Sequence, residues 1–410
     1  MGETIPVTAT TAGNALAGLP VSVRLAFSLA AKLRRGTLEA VLPDGQRLRF
    51  GGAEPGPAAM MIIKDFGFGR RFIGGGDIGI AEAYLRGEWE TPDLTQFLYL
   101  FSVNHDLIQS MLDHRPLVRL LQRLRHFMNR NTRRRAKRNI HAHYDIGNRF
   151  YETWLDETMT YSSALFARDA DDLASAQRRK YESLAQQIGL APGQKVLEIG
   201  CGWGGFAEFA ARSYEARVVG LTISREQFDY ARQRIFTAGL TDKVEIKLQD
   251  YRDETGIYDR IASIEMIEAV GEEFWATYFN QLSQRLVPGG VAGIQTITIQ
   301  DRFFDTYRRE IDFIRRYVFP GGMLPSPGIL KGLGERFGLA LVTEKIFGDD
   351  DYPRTLSAWR SRFRSAWPSL VTLGFDERFR RLWEYYLAYC EAGFLSRNID
   401  VRQMIFAKPR

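Results

Sequence analysis

Apolar and polar positions change their period along this chain, and the changes divide it. Val21, Leu25, Leu29 and Leu33 recur at helical spacing, which predicts one helical stripe over 21–33, packed on its own domain rather than seeking a membrane surface. Residues 38–50 read as a hairpin, with Leu38-Glu39-Ala40-Val41-Leu42 and Arg47-Leu48-Arg49-Phe50 joined at a Pro43-Asp44-Gly45 turn. Residues 59–63 predict a further strand, Gly74-Gly75-Gly76 a tight turn, and 77–87 a short helix leading to Trp89 and Leu94. Helical periodicity resumes over 98–124. From Asp171 onward helices and strands alternate in the pattern of a doubly wound sheet. The expected strands are 195–199, 217–221, 244–248, one within 258–266, and 291–299 after a Pro288-Gly289-Gly290 turn. The expected helices are 174–188, 206–212 and 224–238, the last capped by Ser224 with Gln227 at its third position.

The densest chemical signal is Val196-Leu197-Glu198-Ile199-Gly200-Cys201-Gly202-Trp203-Gly204-Gly205, a buried strand breaking into a glycine-rich turn before a helix. Open α/β sheets bind nucleotide-like ligands at such carboxyl ends. The spacing is not the dinucleotide fingerprint, and no Lys-Ser or Lys-Thr follows to cradle a phosphate. Glu198, two places before Gly200, suits the cationic amino acid moiety of S-adenosylmethionine (SAM). Gly200, Gly202 and Gly204 let the backbone approach it. Thr222 and Gln227, after the second strand, are candidates for the ribose hydroxyls. Gln249, Asp250 and Tyr251, after the third, are candidates for the adenine. The fourth strand leads into Ser263-Ile264-Glu265-Met266-Ile267-Glu268-Ala269-Val270-Gly271, two acids on an apolar run. Burying carboxylates is costly unless they are paired or used, so at least one is expected to be functional.

Composition adds limits. A chain of 410 residues holds two domains. The expected division is an α+β module over 1–125, a basic linker over 126–142 and a catalytic domain over 143–410. The net charge of +6 favours an anionic partner. Arg123, Arg125, Arg130, Arg133, Arg134, Arg135, Lys137 and Arg138 fall in a stretch without acids. That stretch reads either as a solvated face or as a contact to phospholipid headgroups. Cys201 and Cys390 offer no disulfide framework, which fits a reducing cytoplasm. Five scattered histidines make a metal site unexpected. No run is long and apolar enough for a membrane span, and the N-terminal segment lacks the basic start of a signal peptide.

The segments His143-Tyr144-Asp145-Ile146-Gly147-Asn148, Phe150-Tyr151-Glu152-Thr153-Trp154-Leu155 and Met159-Thr160-Tyr161-Ser162-Ser163-Ala164 resemble the cyclopropane fatty acid synthase family. So do Gly220-Leu221-Thr222-Ile223-Ser224, Gln249-Asp250-Tyr251-Arg252-Asp253, Tyr317-Val318-Phe319-Pro320-Gly321-Gly322 and Cys390-Glu391-Ala392-Gly393-Phe394. The resemblance runs from about residue 140 to the end and is looser before it. It implies a Rossmann-like class I SAM-dependent methyltransferase domain behind a smaller N-terminal α+β domain. The implied reaction is alkylation of a cis double bond in a phospholipid acyl chain, with Tyr144 added to the cofactor residues.

An alkene is a weak nucleophile, and its attack on a methyl sulfonium leaves a positive charge in mid-chain. Aromatic faces and carboxylates stabilise such a charge; Tyr144, Tyr161, Tyr317, Tyr352 and Glu268 are the candidates. A proton must then leave. Loss from the added methyl closes a ring, and loss from a neighbouring carbon gives a methylene or shifted alkene. The resemblance implies a bicarbonate base held by a cysteine, a glutamate, a histidine, an isoleucine backbone and a tyrosine. Glu268, Ile297 and Tyr352 match, whereas Ser163 stands at the cysteine position and Gln295 at the histidine position. Ala269 follows Glu268 where the family has histidine. Gln295 cannot carry charge or relay a proton as histidine can, which counts against bicarbonate and against ring closure.

The expectation is a lipid C-methyltransferase, with cyclopropanation as the default outcome and a methylene or methyl-branched unsaturated chain as the rival. The expected partner is a phospholipid bilayer, touched peripherally at its cytoplasmic inner face. No nucleic acid is expected, and a homodimer is implied by resemblance alone. Methylation of a soluble molecule or an RNA base, and a non-catalytic lipid carrier with a vestigial SAM fold, are the alternatives. The RNA reading lacks an aromatic-and-basic motif, and the intact glycines with Glu268 argue against a vestigial site.

Overall fold

The computed structural model describes residues 4–107, 146–167 and 171–410. The basic stretch 123–138, the linker 126–142 and Tyr144 lie outside the described residues. The chain divides into two compact units that do not follow its linear order. One comprises Met1–Met128, Glu310–Phe313 and Gly374–Asn398; the other comprises Asn129–Arg309, Ile314–Leu373 and Ile399–Arg410.

In the first unit, β1 (Thr4–Val7), β2 (Arg35–Val41), β3 (Arg47–Gly51), β4 (Glu54–Ile63) and β5 (Trp89–Glu90) form a sheet ordered β1-β3-β2-β4-β5. β2 and β3 are the expected hairpin; Gly45 N–H donates to the Leu42 carbonyl across its turn. The helix Val21–Ala30 buries Val23, Ala26, Phe27 and Ala30, and of the stripe read from sequence only Leu33, just past its end, is buried. Phe27 packs on Phe50 and Phe68, with centroids 5.0 and 6.0 Å away, while Val21 and Leu25 are 63% and 42% exposed. The aromatic partners select the buried face. Gly74-Gly75-Gly76 is not a free turn but lies inside the helix Gly67–Leu85, broken at Gly76 (φ 58°, ψ −131°). The helix Glu377–Leu395 returns to complete this unit. Tyr385 meets Tyr84 at 5.5 Å, and Thr95 Oγ1 donates to Glu391 Oε2 at 2.9 Å.

The second unit is built on β6 (Lys195–Ile199), β7 (Arg217–Thr222), β8 (Val244–Leu248), β9 (Tyr258–Ile264), β10 (Leu286–Ile299), β11 (Ala340–Ile346) and β12 (Ile399–Ala407). Their order is β11-β12-β10-β9-β6-β7-β8. β12 runs antiparallel between β10 and β11, and the other neighbours are parallel. Such strands are covered on both faces and read as apolar runs. On one face Leu184, Ile188, Phe206, Ala210 and Ile235 close the core; on the other Trp275, Phe279, Leu282 and Leu330 do. Each large side chain so buried contributes roughly 1.5–3 kcal/mol. This Rossmann-like α/β architecture aligns the carboxyl ends of β6, β7, β8 and β9 along one edge, where the candidate residues lie.

Candidate active site

β6 ends at Ile199, and the chain turns through Gly200, Gly202 and Gly204 at φ 82°, 53° and 81° before the helix Gly205–Ser213. A Cβ at Gly200 would sit 2.6 Å from Met266 Cγ, so no other residue fits there. Gly200 and Cys201 N–H both donate to the Leu221 carbonyl, pinning the turn to β7. Glu198 is buried in β6, and among the described residues its Oε2 has no hydrogen-bond partner. Burial drives its carboxyl well above the ordinary range, against the Ala207 N–H and the charges of Arg234 and Lys180. A buried acid with an open oxygen beside a positive-φ glycine turn fits the ammonium group of SAM.

The other cofactor candidates are fixed by neighbouring side chains. Thr222 Oγ1 donates to Gln227 Oε1 at 2.8 Å, and Ser224 Oγ caps the next helix on Gln227 N. Gln249 Nε2 donates to Glu254 Oε2 at 3.1 Å. Asp250 accepts from Arg252 N and from its guanidinium, so its oxygens are held by that arginine. Tyr251 packs edge-on to Tyr278, with centroids 5.6 Å apart.

Past β9 the two acids diverge. Glu265 holds φ at 48°, a conformation costly for a side chain with a Cβ. Its Oε1 accepts from Ser163 N–H at 2.8 Å and Gln295 Nε2 at 2.9 Å, and its Oε2 accepts from Tyr352 Oη at 2.8 Å. Burial raises its pKa; Lys180, Gln295, Ser163 and Tyr352 oppose the rise. Glu268 accepts from Thr296 Oγ1 at 2.9 Å and Ile297 N–H at 2.5 Å on Oε1, while Oε2 is buried without a partner among the described residues. Burial, then the charge of Glu265, push it up to about 8. Two carboxylates in one site do not both ionise easily, and with its carboxyl pushed up to about 8 Glu268 is neutral at pH 7.

Ser163 takes part through its backbone, since its hydroxyl donates to the Ala164 carbonyl at 3.0 Å. Tyr161 lies in an aromatic chamber, its ring 5.5 Å from Tyr151, 5.6 Å from Trp154 and 5.1 Å from Trp359. Tyr317 sits in the π-helical turn Ile314–Val318, with the Arg316 guanidinium 5.4 Å over its ring. Three residues that the sequence did not assign complete the cluster: Glu265 itself, Lys180 and Gln403. Gln403 Nε2 donates to Gln295 Oε1 at 3.1 Å, leaving the Gln295 amide nitrogen to face Glu265. The nearest sequence signal for Glu265 was a carboxylate in an apolar run; Lys180 and Gln403 gave none.

The glycine turn, the open acid and the carboxylate pair at the strand ends define a SAM-dependent methyltransferase of class I fold. The chain belongs to the mycolic acid cyclopropane synthetase family, whose model matches residues 131–404. It is 41% identical to the tuberculostearic acid methyltransferase of Mycobacterium tuberculosis over 89% of this chain and 86% of that protein. It is 36% identical to the cyclopropane-fatty-acyl-phospholipid synthase of Escherichia coli over 84% of this chain and 87% of that one. A mycolic acid cyclopropane synthase solved with SAH and CTAB superposes at TM-score 0.63 and 30% identity, covering 66% of this chain and 98% of its own. The cyclopropane synthase MmaA2 from Mycobacterium tuberculosis gives 0.62 and 29% over the same shares.

Proposed function

We propose that this enzyme methylates the cis double bond of an unsaturated acyl chain in membrane phospholipid and releases a methylene or methyl-branched unsaturated chain rather than a ring. One observation carries the reading. Ser163 N–H, Gln295 Nε2 and Tyr352 Oη occupy three positions that the family resemblance assigns to bicarbonate, and here all three converge on Glu265. A tethered carboxylate thus fills the anion's place, and it brings two oxygens where bicarbonate has three.

SAM, when bound, supplies the electrophilic methyl group. The aromatic chamber around Tyr161 gives the positive charge left on the second alkene carbon a set of π faces. Among the described residues Glu265 Oε2 accepts only the Tyr352 hydroxyl, which leaves a lone pair for a proton. For the methyl-branched alkene that proton leaves a chain carbon next to the charged one, and its C–H electron pair becomes the new double bond. For the methylene, a hydride first shifts from the methylated carbon to the charged one, and the proton then leaves the added methyl. The phospholipid substrate is supported by the lipid-modifying relatives, and a peripheral bilayer contact by the basic stretch 123–138. Among the described residues no helix is long and apolar enough to cross a membrane. Ring closure, with Glu265 as its base, is the second reading, favoured by the 36% identity to the Escherichia coli synthase.

The test is mass spectrometry of fatty acid methyl esters from cis-unsaturated phospholipid vesicles incubated with enzyme and SAM in carbon dioxide-free buffer. The expected product gains one carbon and hydrogenates to a simple methyl branch, and added bicarbonate does not speed its formation. A cyclopropane ring in the product would establish the second reading, and no gain at all would remove lipid as the substrate.

A further inference from the structure

Lys180 lies in the helix Leu173–Gln187 with 0% of its surface exposed, and the chemistry above leaves it unused. Burying an ammonium group costs several kcal/mol unless its surroundings offset the loss. Among the described residues its Nζ donates one hydrogen bond, to Ser162 Oγ at 2.6 Å, and lies 4.9 Å from the Tyr181 ring centroid. The charges it faces are carboxylates on three separate segments: Glu265 after β9, Asp156, and Glu198 in β6. Glu265 is the strongest of them, and Lys180 is in turn the foremost influence favouring the ionised form of Glu265.

Two hydrogen-bonded paths lead from Lys180 to the donors on Glu265 Oε1. Through its side chain it fixes Ser162, whose neighbour Ser163 presents its N–H to that oxygen. Gln177 Nε2 steadies the same loop on the Ser162 carbonyl at 2.9 Å. Through its backbone, the Lys180 carbonyl accepts from Gln403 Nε2 at 3.2 Å. That amide also donates to Gln295 Oε1, and Gln295 Nε2 reaches Glu265. An amide nitrogen has two hydrogens, so Gln403 can make both bonds at once. Both donors on Oε1 are therefore aimed from one buried residue.

We propose that Lys180 is the positioning residue for Glu265, supplying the charge that keeps this carboxylate an ionised acceptor and the contacts that orient it. The proposal rests on the reading of Glu265 as the base. The groups that bear on its pH dependence are Glu265, Asp156 and Glu198 facing Lys180, Arg234 facing Glu198, and Glu268 facing Glu265. Burial lowers the Lys180 ammonium to about 7, so its support is fullest on the acid side of neutrality.

The experiment compares wild type, Lys180→Met, Ser162→Ala and Glu265→Gln on dioleoylphosphatidylglycerol vesicles from pH 5.5 to 9. SAM binding and thermal unfolding are measured on the same samples. Lys180→Met should bind SAM, lose about tenfold in kcat at pH 7 and shift its acid limb up by about one pH unit, as loss of an opposite charge requires. Much of the loss should return at pH 9. A loss equal at every pH would mean that Lys180 only holds the fold, and would overturn the proposal. If Lys180→Met does not fold, Ser162→Ala decides. It should lower kcat severalfold with the lipid KM and the acid limb unchanged, and a wild-type kcat overturns the positioning role. Full activity in Glu265→Gln would instead remove the base reading, and this proposal with it. An inactive Glu265→Gln beside an unshifted Lys180→Met would remove only the role of Lys180.

Discussion

Glu265 accepts three hydrogen bonds within reach of a buried lysine, whereas Glu268 accepts two on one oxygen and faces the charge of Glu265. Their surroundings thus separate two acids that the sequence motif alone pairs as equals. Glu265→Gln should lose at least roughly 100-fold in kcat, the scale of a general base, with SAM affinity retained. Glu268→Gln should stay within about fivefold of wild type at pH 7, because Glu268 is already uncharged there and the amide can replace it as an acceptor. The two rate profiles should separate only as pH rises through about 8, where wild-type Glu268 ionises. A collapse of Glu268→Gln at pH 7 would reverse the two roles. Glu265→Gly goes further, since its φ of 48° suits glycine and its loss vacates the seat among Ser163, Gln295 and Tyr352. Millimolar bicarbonate should then restore measurable methylation to this variant and leave Glu265→Gln unaffected.

Helix Gly67–Leu85 shows how a local pattern and a tertiary demand meet in one element. The three consecutive glycines read as a turn, yet only Gly76 leaves helical geometry. A Cβ at Gly79 would fall 1.9 Å from the Arg71 carbonyl, so the two halves of the helix approach across that break. Gly76→Ala should destabilise the protein by about 1–3 kcal/mol, the scale of a side chain forced into a glycine-only conformation, while Gly75→Ala should not. Thermal unfolding of both variants checks this. Elements whose signal is local were legible in the sequence. β6 and β8 have the expected ends, Ser224 caps its helix, and the glycine turn follows from its own spacing. β11 and β12 were not legible, because insertion of Ile399–Ala407 between β10 and β11 depends on partners far away in the chain. The same distance hid the heart of the site. The donors to Glu265 come from 102, 30 and 87 residues away. Lys180 resembles any solvated helix lysine until the sheet buries it.

At the scale of the whole molecule, the first unit joins the N-terminal stretch to the late segment Gly374–Asn398, which changes what truncation means. The linear division places a self-contained catalytic domain over 143–410, so a fragment lacking 1–125 would remain soluble and bind SAM without acting on vesicles. In the structure Glu377–Leu395 belongs to the first unit. Tyr385 packs on Tyr84 there, the Arg381 guanidinium donates to the Tyr84 carbonyl at 3.1 Å, and Glu391 accepts from Thr95. Removing 1–125 takes away every one of those partners. Tyr385, Leu387 and Ala388, all but fully buried in the intact chain, would meet water, and so would the carboxylate of Glu391 without its donor. Each large apolar side chain so exposed forfeits roughly 1.5–3 kcal/mol, and together they form a patch that favours association. The fragment 126–410 should therefore elute as aggregate on size exclusion and bind an apolar dye. Deleting Gly374–Asn398 as well, with Leu373 and Ile399 rejoined by a short glycine-serine linker, should restore a monodisperse species that binds SAM. If the simple 126–410 fragment is already monodisperse and dye-silent, the returning helix is an accessory to the first unit rather than part of its core.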